Sequence, residues 1–125
     1  MTRAIVFAYH DVGVRCLKVL LDAGVQVPLV VTHADAPGET IWFDSVARLA
    51  HEHGRQVAMP TDPHDPALLR QAAQAKPDFL FSFYYRHMLR REWLELPTRG
   101  AFNMHGSLLP RFRGRGPVNW GGIHG

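Results

Sequence analysis

The chain has 125 residues, about the size of a single domain with one hydrophobic core. Apolar residues make up 46% of the chain and charged residues 20%, which is typical of a folded globular domain and argues against a disordered one. The net charge of +3 is mild for a protein that coats nucleic acid. No segment approaches the roughly 18 apolar residues of a membrane span, and the amino terminus lacks a signal-peptide pattern, so we expect a cytoplasmic protein with no membrane partner.

The first third of the sequence predicts a β-α-β unit. "RAIVFAY" and "VQVPLVVTH" are short runs rich in β-branched residues, as in buried parallel strands. An apolar stripe at helical spacing lies between them and predicts a helix that ends at Gly24. The stripe consists of Val12, Cys16, Val19 and Leu20. Because the single cysteine falls on this stripe and cannot form an internal disulfide, it is predicted to pack in the core.

Further strands and helices alternate along the rest of the chain. Helices are predicted from Ser45 to Gly54, from about Pro66 to Ala75 and around Met88 to Leu96. Strands are predicted in "QVAMP", "PDFLFSFYY" and "GAFNMHG". This alternation predicts an α/β fold, a Rossmann-like parallel sheet with helices on both faces.

Ligands of such sheets bind at the carboxyl ends of the strands. The first strand leads into "AYHDVGVRC", which has one glycine where a dinucleotide-binding turn needs three, so a nicotinamide or flavin dinucleotide is not expected. His10, in this turn, is either a cleft residue or a loop histidine satisfied by water. His51 and His53 lie on different faces of a helix and cannot chelate an ion together, so no metal is predicted.

The pair Asn103 and His105 is the strongest candidate for chemistry. In a strand, both side chains point to one face about 6.5 to 7 Å apart, whereas Met104 points to the other layer. An amide donor can stabilise an oxyanion and an imidazole can protonate a leaving nitrogen, which together suit acyl transfer. The alternative is that the two side chains only satisfy backbone groups at a strand end.

The residues after this pair resemble a known family, the folate-dependent formyltransferases. Its members carry Asn-x-His followed by Ser-Leu-Leu-Pro, and "NMH" and "SLLP" stand here at the same spacing, with "RGRGPVNW" downstream. "VFAYHDVG", "THADAPGE" and "FSFYYRHML" are most similar to the formyltransferase domains of bifunctional polymyxin-resistance proteins. Those domains formylate UDP-4-amino-4-deoxy-L-arabinose in lipid A modification.

The resemblance implies a reaction and a set of site residues. The formyl donor would be 10-formyltetrahydrofolate, and the acceptor would be the 4-amino group of the nucleotide sugar. His105 would be the proton donor, and Asn103 would stabilise the oxyanion. The implied folate contacts are His87, Met88, Leu89 and Arg115. Because His87, Met88 and Leu89 follow an apolar strand, a backbone edge there can pair with a pterin while Met88 and Leu89 pack on its ring.

Two alternatives to the amino-sugar enzyme remain open. The first is a methionyl-tRNA formyltransferase, which would bind tRNA. The second is a non-catalytic module in which "RFRGRG" binds single-stranded nucleic acid. No acid follows Glu95, whereas this end carries Arg99, Arg111, Arg113 and Arg115, so an anionic ligand is expected near it.

The resemblance also implies an aspartate downstream of the histidine that raises the pKa of the imidazole. The sequence has no acidic residue after Glu95 that could be this aspartate. We therefore expect residues 1–125 to be the N-terminal portion of a formyltransferase catalytic domain, and we expect this chain to be inactive by itself.

Overall fold

The structure of the protein is a computed structural model that describes residues 1–34 and 45–104. The strands in these ranges are β1 (Arg3–Ala8), β2 (Gln26–Val31), β3 (Val57–Ala58), β4 (Phe79–Phe83) and β5 (Gly100–Met104). The helices are α1 (His10–Asp22), α2 (Val46–Glu52), α3 (Pro66–Gln74) and α4 (Arg91–Leu94). None of these helices is long and apolar enough to cross a membrane.

The strands form one parallel sheet in the order β3-β2-β1-β4-β5. This confirms the predicted Rossmann-like α/β fold. The chain runs outward from β1 through β2 to β3, returns to the centre at β4, and continues to β5 on the other side. Because the connections after β1 and β4 leave in opposite directions, the carboxyl ends of these two neighbours form the point at which such sheets bind ligands.

Helices cover both faces of the sheet. Val14 and Leu17 of α1 and Val46 of α2 pack on one face. Leu68 of α3 and Trp93 of α4 pack on the other face. The central strand β1 is fully buried from Ala4 to Ala8, as its continuous apolar sequence predicts.

Side chains cap the start of two helices. The Ser45 hydroxyl accepts the Arg48 N–H at 3.3 Å at the start of α2. The Asp65 carboxylate accepts the Ala67 N–H at 3.1 Å at the start of α3, where Pro66 is the first helical residue. Gly24, at the predicted end of α1, has a φ of +85°, which glycine adopts without strain.

The predicted buried stripe of α1 is only partly correct, because Leu20 packs against the core but the fully buried residues are different ones. The buried residues of this helix are Gly13, Val14 and Leu17, whereas Val19 is 65% exposed. The reason lies at Gly13, where an added Cβ would stand 3.2 Å from Ala8 Cβ and 3.3 Å from the Phe83 carbonyl oxygen. This close approach turns the Gly13 side of the helix toward the sheet. Cys16 is only partly buried, and that burial raises the pKa of its thiol.

The predicted helix from Met88 to Leu96 is shorter than expected. The helix begins at Arg91, and Leu89 before it is part of the core, with 3% of its surface exposed. The Arg90 N–H is bonded to His64 Nε2 rather than to a helical carbonyl. This contact with another loop holds the chain before Arg91 in a non-helical path.

Candidate functional site

Polar side chains are buried in the sheet only toward its carboxyl edge in the described part of the chain. They are Thr32, Ser82 and Asn103, with exposures between 1% and 8%. Ser82 and Asn103 are direct partners in the ladder between β4 and β5, and Phe7 of β1 lies beside Ser82 in the same row. A buried amide and a buried hydroxyl are therefore placed on one face at the edge where ligands bind.

Asn103 occupies the position that the sequence predicts for an oxyanion-stabilising amide. Its side chain lies on the same face of β5 as the buried Ala101, and 8% of its surface is exposed. Met104 lies on the opposite face, as predicted, and is 39% exposed. The predicted proton donor, His105, is the next residue along the chain and lies outside the described residues.

The backbone is strained where the chain leaves β1 and β4. His10 has a φ of 67° and Tyr84 a φ of 61°, in the left-handed region that most side chains avoid. Their rings face each other, with centroids 6.3 Å apart and planes at 23°. Strain of this kind persists where surrounding contacts enforce it and is concentrated at functional sites. His10 thus lies just beyond the carboxyl end of β1, stacked on Tyr84 beyond the end of β4.

The segment after β4 borders two neighbouring cavities of about 360 and 430 Å³. Thr61 and His87 line both of them. Met88 is 84% exposed beside the larger cavity, whereas the side chain of Leu89 is buried in the core. Of the predicted folate contacts, His87 and Met88 therefore line the cavities, whereas Leu89 anchors the segment to the hydrophobic core. The fourth, Arg115, lies outside the described residues.

The backbone of this segment is free to bind a ligand. In residues 1–34 and 45–104, the N–H groups of His87, Met88 and Leu89 make no hydrogen bond. The N–H groups of Arg86 and Arg90, on either side, are bonded to histidine rings. Backbone donors left without water or a partner are costly, and His87 and Met88 of this segment line the cavities, so the segment is suited to a polar ligand.

His33, after β2, is a site residue that the sequence alone did not single out. Its ring stacks on Tyr85 with centroids 4.2 Å apart, meets the Tyr9 ring edge-on at 5.0 Å, and lies 5.2 Å from the His87 ring. Burial lowers the pKa of His33 to about 4, and the nearby His87 and Arg86 add to this effect. The imidazole is therefore neutral at pH 7. Its position just beyond a strand end is the signal in the sequence that could have indicated it.

Tyr85 is the aromatic residue on which the His33 ring stacks. Its ring packs edge-on against Phe7 with centroids 5.1 Å apart, and its hydroxyl is buried with no hydrogen-bond partner among the described residues. Burial raises the pKa of Tyr85 to about 12, with a smaller contribution from the negative charge of Asp62. The phenol therefore stays neutral throughout the physiological range.

Two other predictions concern histidines on and near α2. His51 lies in the helix and His53 just beyond it, and both are exposed. Across residues 1–34 and 45–104, no group of three histidine, cysteine or acidic side chains is arranged to hold a metal ion.

Comparison with known proteins connects this site to a family. The sequence model of the formyl transferase family matches residues 9–125. The fold is similar to the crystal structure of glycinamide ribonucleotide transformylase 1 from Geobacillus kaustophilus, with a TM-score of 0.62 and 25% sequence identity. The alignment covers 92% of this chain and 63% of that chain, so this chain spans less than two thirds of its length. Because the family match covers most of the sequence and the parallel sheet agrees with it, the chain belongs to the formyl transferase family.

Proposed function

We propose that the protein containing this chain transfers a formyl group from 10-formyltetrahydrofolate to a primary amine. The observation that carries the proposal is the backbone of His87, Met88 and Leu89, whose N–H groups have no partner within residues 1–34 and 45–104. His87 and Met88 of this segment line two cavities at the carboxyl edge of a formyltransferase sheet. The buried amide of Asn103 lies at the same edge of the sheet, on the neighbouring strand β5.

The part of the site that would bind the formyl donor is suited to the flat pterin ring of a folate. A pterin presents adjacent donors and acceptors along one edge, which can pair with the N–H and C=O groups of a short backbone segment. Met88 is exposed and can cover the face of such a ring, because a thioether side chain adapts to an apolar surface. The cavities of about 360 and 430 Å³ are within the range of small-molecule sites.

The reaction assigns a separate role to each polar side chain. Bound 10-formyltetrahydrofolate supplies the formyl group in an activated form. The Asn103 amide donates a hydrogen bond to the formyl oxygen as the attacking amine places negative charge on it. His105 gives a proton to the folate nitrogen as its bond to the formyl carbon breaks, and the proton that the attacking amine loses replaces it on the imidazole. Arg115 contributes a positive charge to the folate side of the site.

The acceptor that we propose is the 4-amino group of UDP-4-amino-4-deoxy-L-arabinose, which would place the enzyme in lipid A modification in the cytoplasm. The support is the similarity of "VFAYHD" and "FSFYYRH" to the amino-sugar branch of the family. These stretches are the residues that meet at the switch between β1 and β4, where His10 and Tyr84 face each other.

Two other acceptors are chemically compatible with the same site. Methionyl-tRNA also offers a primary amine, and the basic carboxyl-terminal part of the sequence suits a polyanion. Glycinamide ribonucleotide, which appears in the name of the enzyme of similar fold, is the third amine to be tested. A non-catalytic module that binds single-stranded RNA would instead show binding that weakens steeply with salt and is unaffected by folate.

A competition assay tests donor and acceptor together. The protein that contains this chain is incubated with 10-formyltetrahydrofolate and equal concentrations of the three amines, and each formylated product is quantified. We expect the nucleotide sugar to be formylated. Preferential formylation of methionyl-tRNA or glycinamide ribonucleotide would reassign the acceptor, and absence of transfer to all three, together with salt-sensitive RNA binding, would reject the enzyme.

A further inference from the structure

Two histidines from different loops hold the ends of the segment that follows β4. His33 Nε2 accepts the backbone N–H of Arg86 at 2.9 Å, and His64 Nε2 accepts the backbone N–H of Arg90 at 3.0 Å. His33 follows β2, and His64 lies in the loop between β3 and α3. The three residues between the two bonds keep their own N–H groups free of partners within the described residues.

The ring of His33 is oriented by aromatic contacts. It lies nearly parallel to the Tyr85 ring, with 12° between the planes, and perpendicular to the Tyr9 ring at 88°. These two contacts fix the plane of the imidazole and aim Nε2 at the Arg86 N–H. An imidazole nitrogen accepts a hydrogen bond only when it carries no proton, so His33 must be neutral with its proton on Nδ1.

The ring of His64 is oriented by a carboxylate. Its Nδ1 lies 3.4 Å from Asp62 Oδ1, and the same oxygen accepts the His64 backbone N–H at 2.9 Å. A carboxylate beside Nδ1 favours the tautomer with its proton there, which leaves Nε2 as the acceptor. Trp93 Nε1 donates to the Pro63 carbonyl at 2.8 Å and fixes the loop between these two residues. The His64 side chain is 13% exposed.

We infer that His33 and His64 are positioning residues that clamp the Arg86–Arg90 segment at both ends and leave its central backbone groups available to the folate. This inference rests on the proposed folate role of that segment. The two bonds occupy the outer N–H groups and none of the inner ones. The two histidines thereby hold the free edge in place without competing with the ligand for its donors.

Matched substitutions separate the acceptor atom from the ring. His33→Phe and His64→Phe keep an aromatic ring but remove the acceptor. His33→Gln and His64→Gln remove the ring but place an amide oxygen where Nε2 stood. His51→Gln, on the exposed surface of α2 behind the other face of the sheet, controls for loss of a histidine elsewhere.

Hydrogen exchange of the full chain, without ligand, measures the clamp directly. We expect His33→Phe to speed exchange of the Arg86 amide by at least about five-fold, the factor that corresponds to one ordinary hydrogen bond. His64→Phe should do the same at the Arg90 amide. The glutamine variants should restore most of the protection, and His51→Gln should change neither amide. Unchanged exchange in the phenylalanine variants, or equal loss in the glutamine variants, would overturn the inference.

Binding of 5-formyltetrahydrofolate measures the consequence for the ligand. This isomer carries its formyl group on N5 and cannot donate it from N10. We expect about five-fold weaker binding in each phenylalanine variant and near-normal binding in each glutamine variant. If the phenylalanine variants lose amide protection but bind the folate like the unchanged protein, the clamp does not serve the ligand and the inference fails. Failure of the unchanged protein to bind this folate, with the exchange pattern as expected, would instead reject the proposed function.

Discussion

Ser82 and Asn103 lie directly opposite each other on the parallel strands β4 and β5, and both are more than nine-tenths buried. In the same row of the sheet, the position on β1 is occupied by the apolar side chain of Phe7. Buried polar groups are hydrogen-bonded in folded proteins. This pair therefore lies where the apolar core of the sheet ends and the candidate functional site begins. Asn103 is the member that can donate an amide N–H.

Asn103→Ala tests the oxyanion role. We expect turnover to fall by about 10² to 10³-fold, the range for loss of one preorganised donor to a developing oxyanion. The measurement is the rate of formyl transfer at saturating 10-formyltetrahydrofolate. Met104→Leu is the matched control, because Met104 lies next in sequence but on the opposite, partly exposed face of β5. A turnover number that survives Asn103→Ala would remove this amide from the mechanism.

Acid should destabilise the protein in part through His33. Its pKa in the fold is about 4, below the ordinary value of 6.5, so the unfolded chain binds more protons between these values. The stability from neutral His33 is fully present above about pH 6.5, falls as the pH decreases, and is lost near pH 4. Arg86 and His87 face the ring, and Tyr9 and Tyr85 pack against it.

Urea unfolding at several pH values between 7 and 4 measures this dependence. As the pH is lowered from 7 to 4, the free energy of unfolding should decrease less in His33→Phe than in the unchanged protein, because the variant has no imidazole to protonate at this position. His51→Gln should keep the original slope. Parallel curves for His33→Phe and the unchanged protein would show that His33 is not held neutral by its surroundings.

Tyr85→Phe should leave stability unchanged or raise it by up to about 1 kcal/mol. The buried hydroxyl has no partner among the described residues, so its removal avoids a desolvation cost without losing a hydrogen bond. Thermal unfolding at neutral pH provides the measurement. Loss of more than about 1 kcal/mol would mean that the hydroxyl is paired in solution.

The alkaline titration of Tyr85 is a separate test. Its pKa of about 12 lies above the ordinary value of 10, so the stability of the neutral phenol is present below pH 10 and is lost as the pH rises toward 12. Ultraviolet absorbance should show a phenolate step near pH 12 that Tyr85→Phe abolishes. Persistence of that step in the variant would assign it to another tyrosine.

Gly13→Ala should destabilise the fold, although alanine favours a helix by about 1 kcal/mol over glycine. The added Cβ would stand 3.2 Å from Ala8 Cβ and 3.3 Å from the Phe83 carbonyl oxygen, at the carboxyl ends of the neighbouring strands β1 and β4. We expect a net loss of about 1 to 3 kcal/mol, because the neighbouring strands cannot move apart without disturbing the core. Val19→Ala, on the exposed side of α1, is the control and should be nearly neutral. Increased stability of Gly13→Ala would show that α1 can shift outward.

Local sequence patterns determined the elements and their order. β-branched runs bounded by glycine and proline predicted the strands, and Ser45 and Pro66 marked helix starts that the structure confirms. These features depend on neighbours along the chain, through backbone propensity and capping. The Asn-x-His and Ser-Leu-Leu-Pro motifs likewise identified the family, which the family match supports.

Only the tertiary structure decided which residues meet. The buried side of α1 is set by the approach of Gly13 to Ala8 and Phe83, which the helical periodicity of α1 alone does not encode. His33 and Arg86 are 53 residues apart, and His64 and Arg90 are 26 apart. A hydrogen bond over such separations needs the strand order β3-β2-β1-β4-β5, which brings loops from distant parts of the chain to one edge. Strand order is a property of long-range pairing and packing, so local sequence could indicate the chemistry at Asn103 but not the histidines that hold the neighbouring segment.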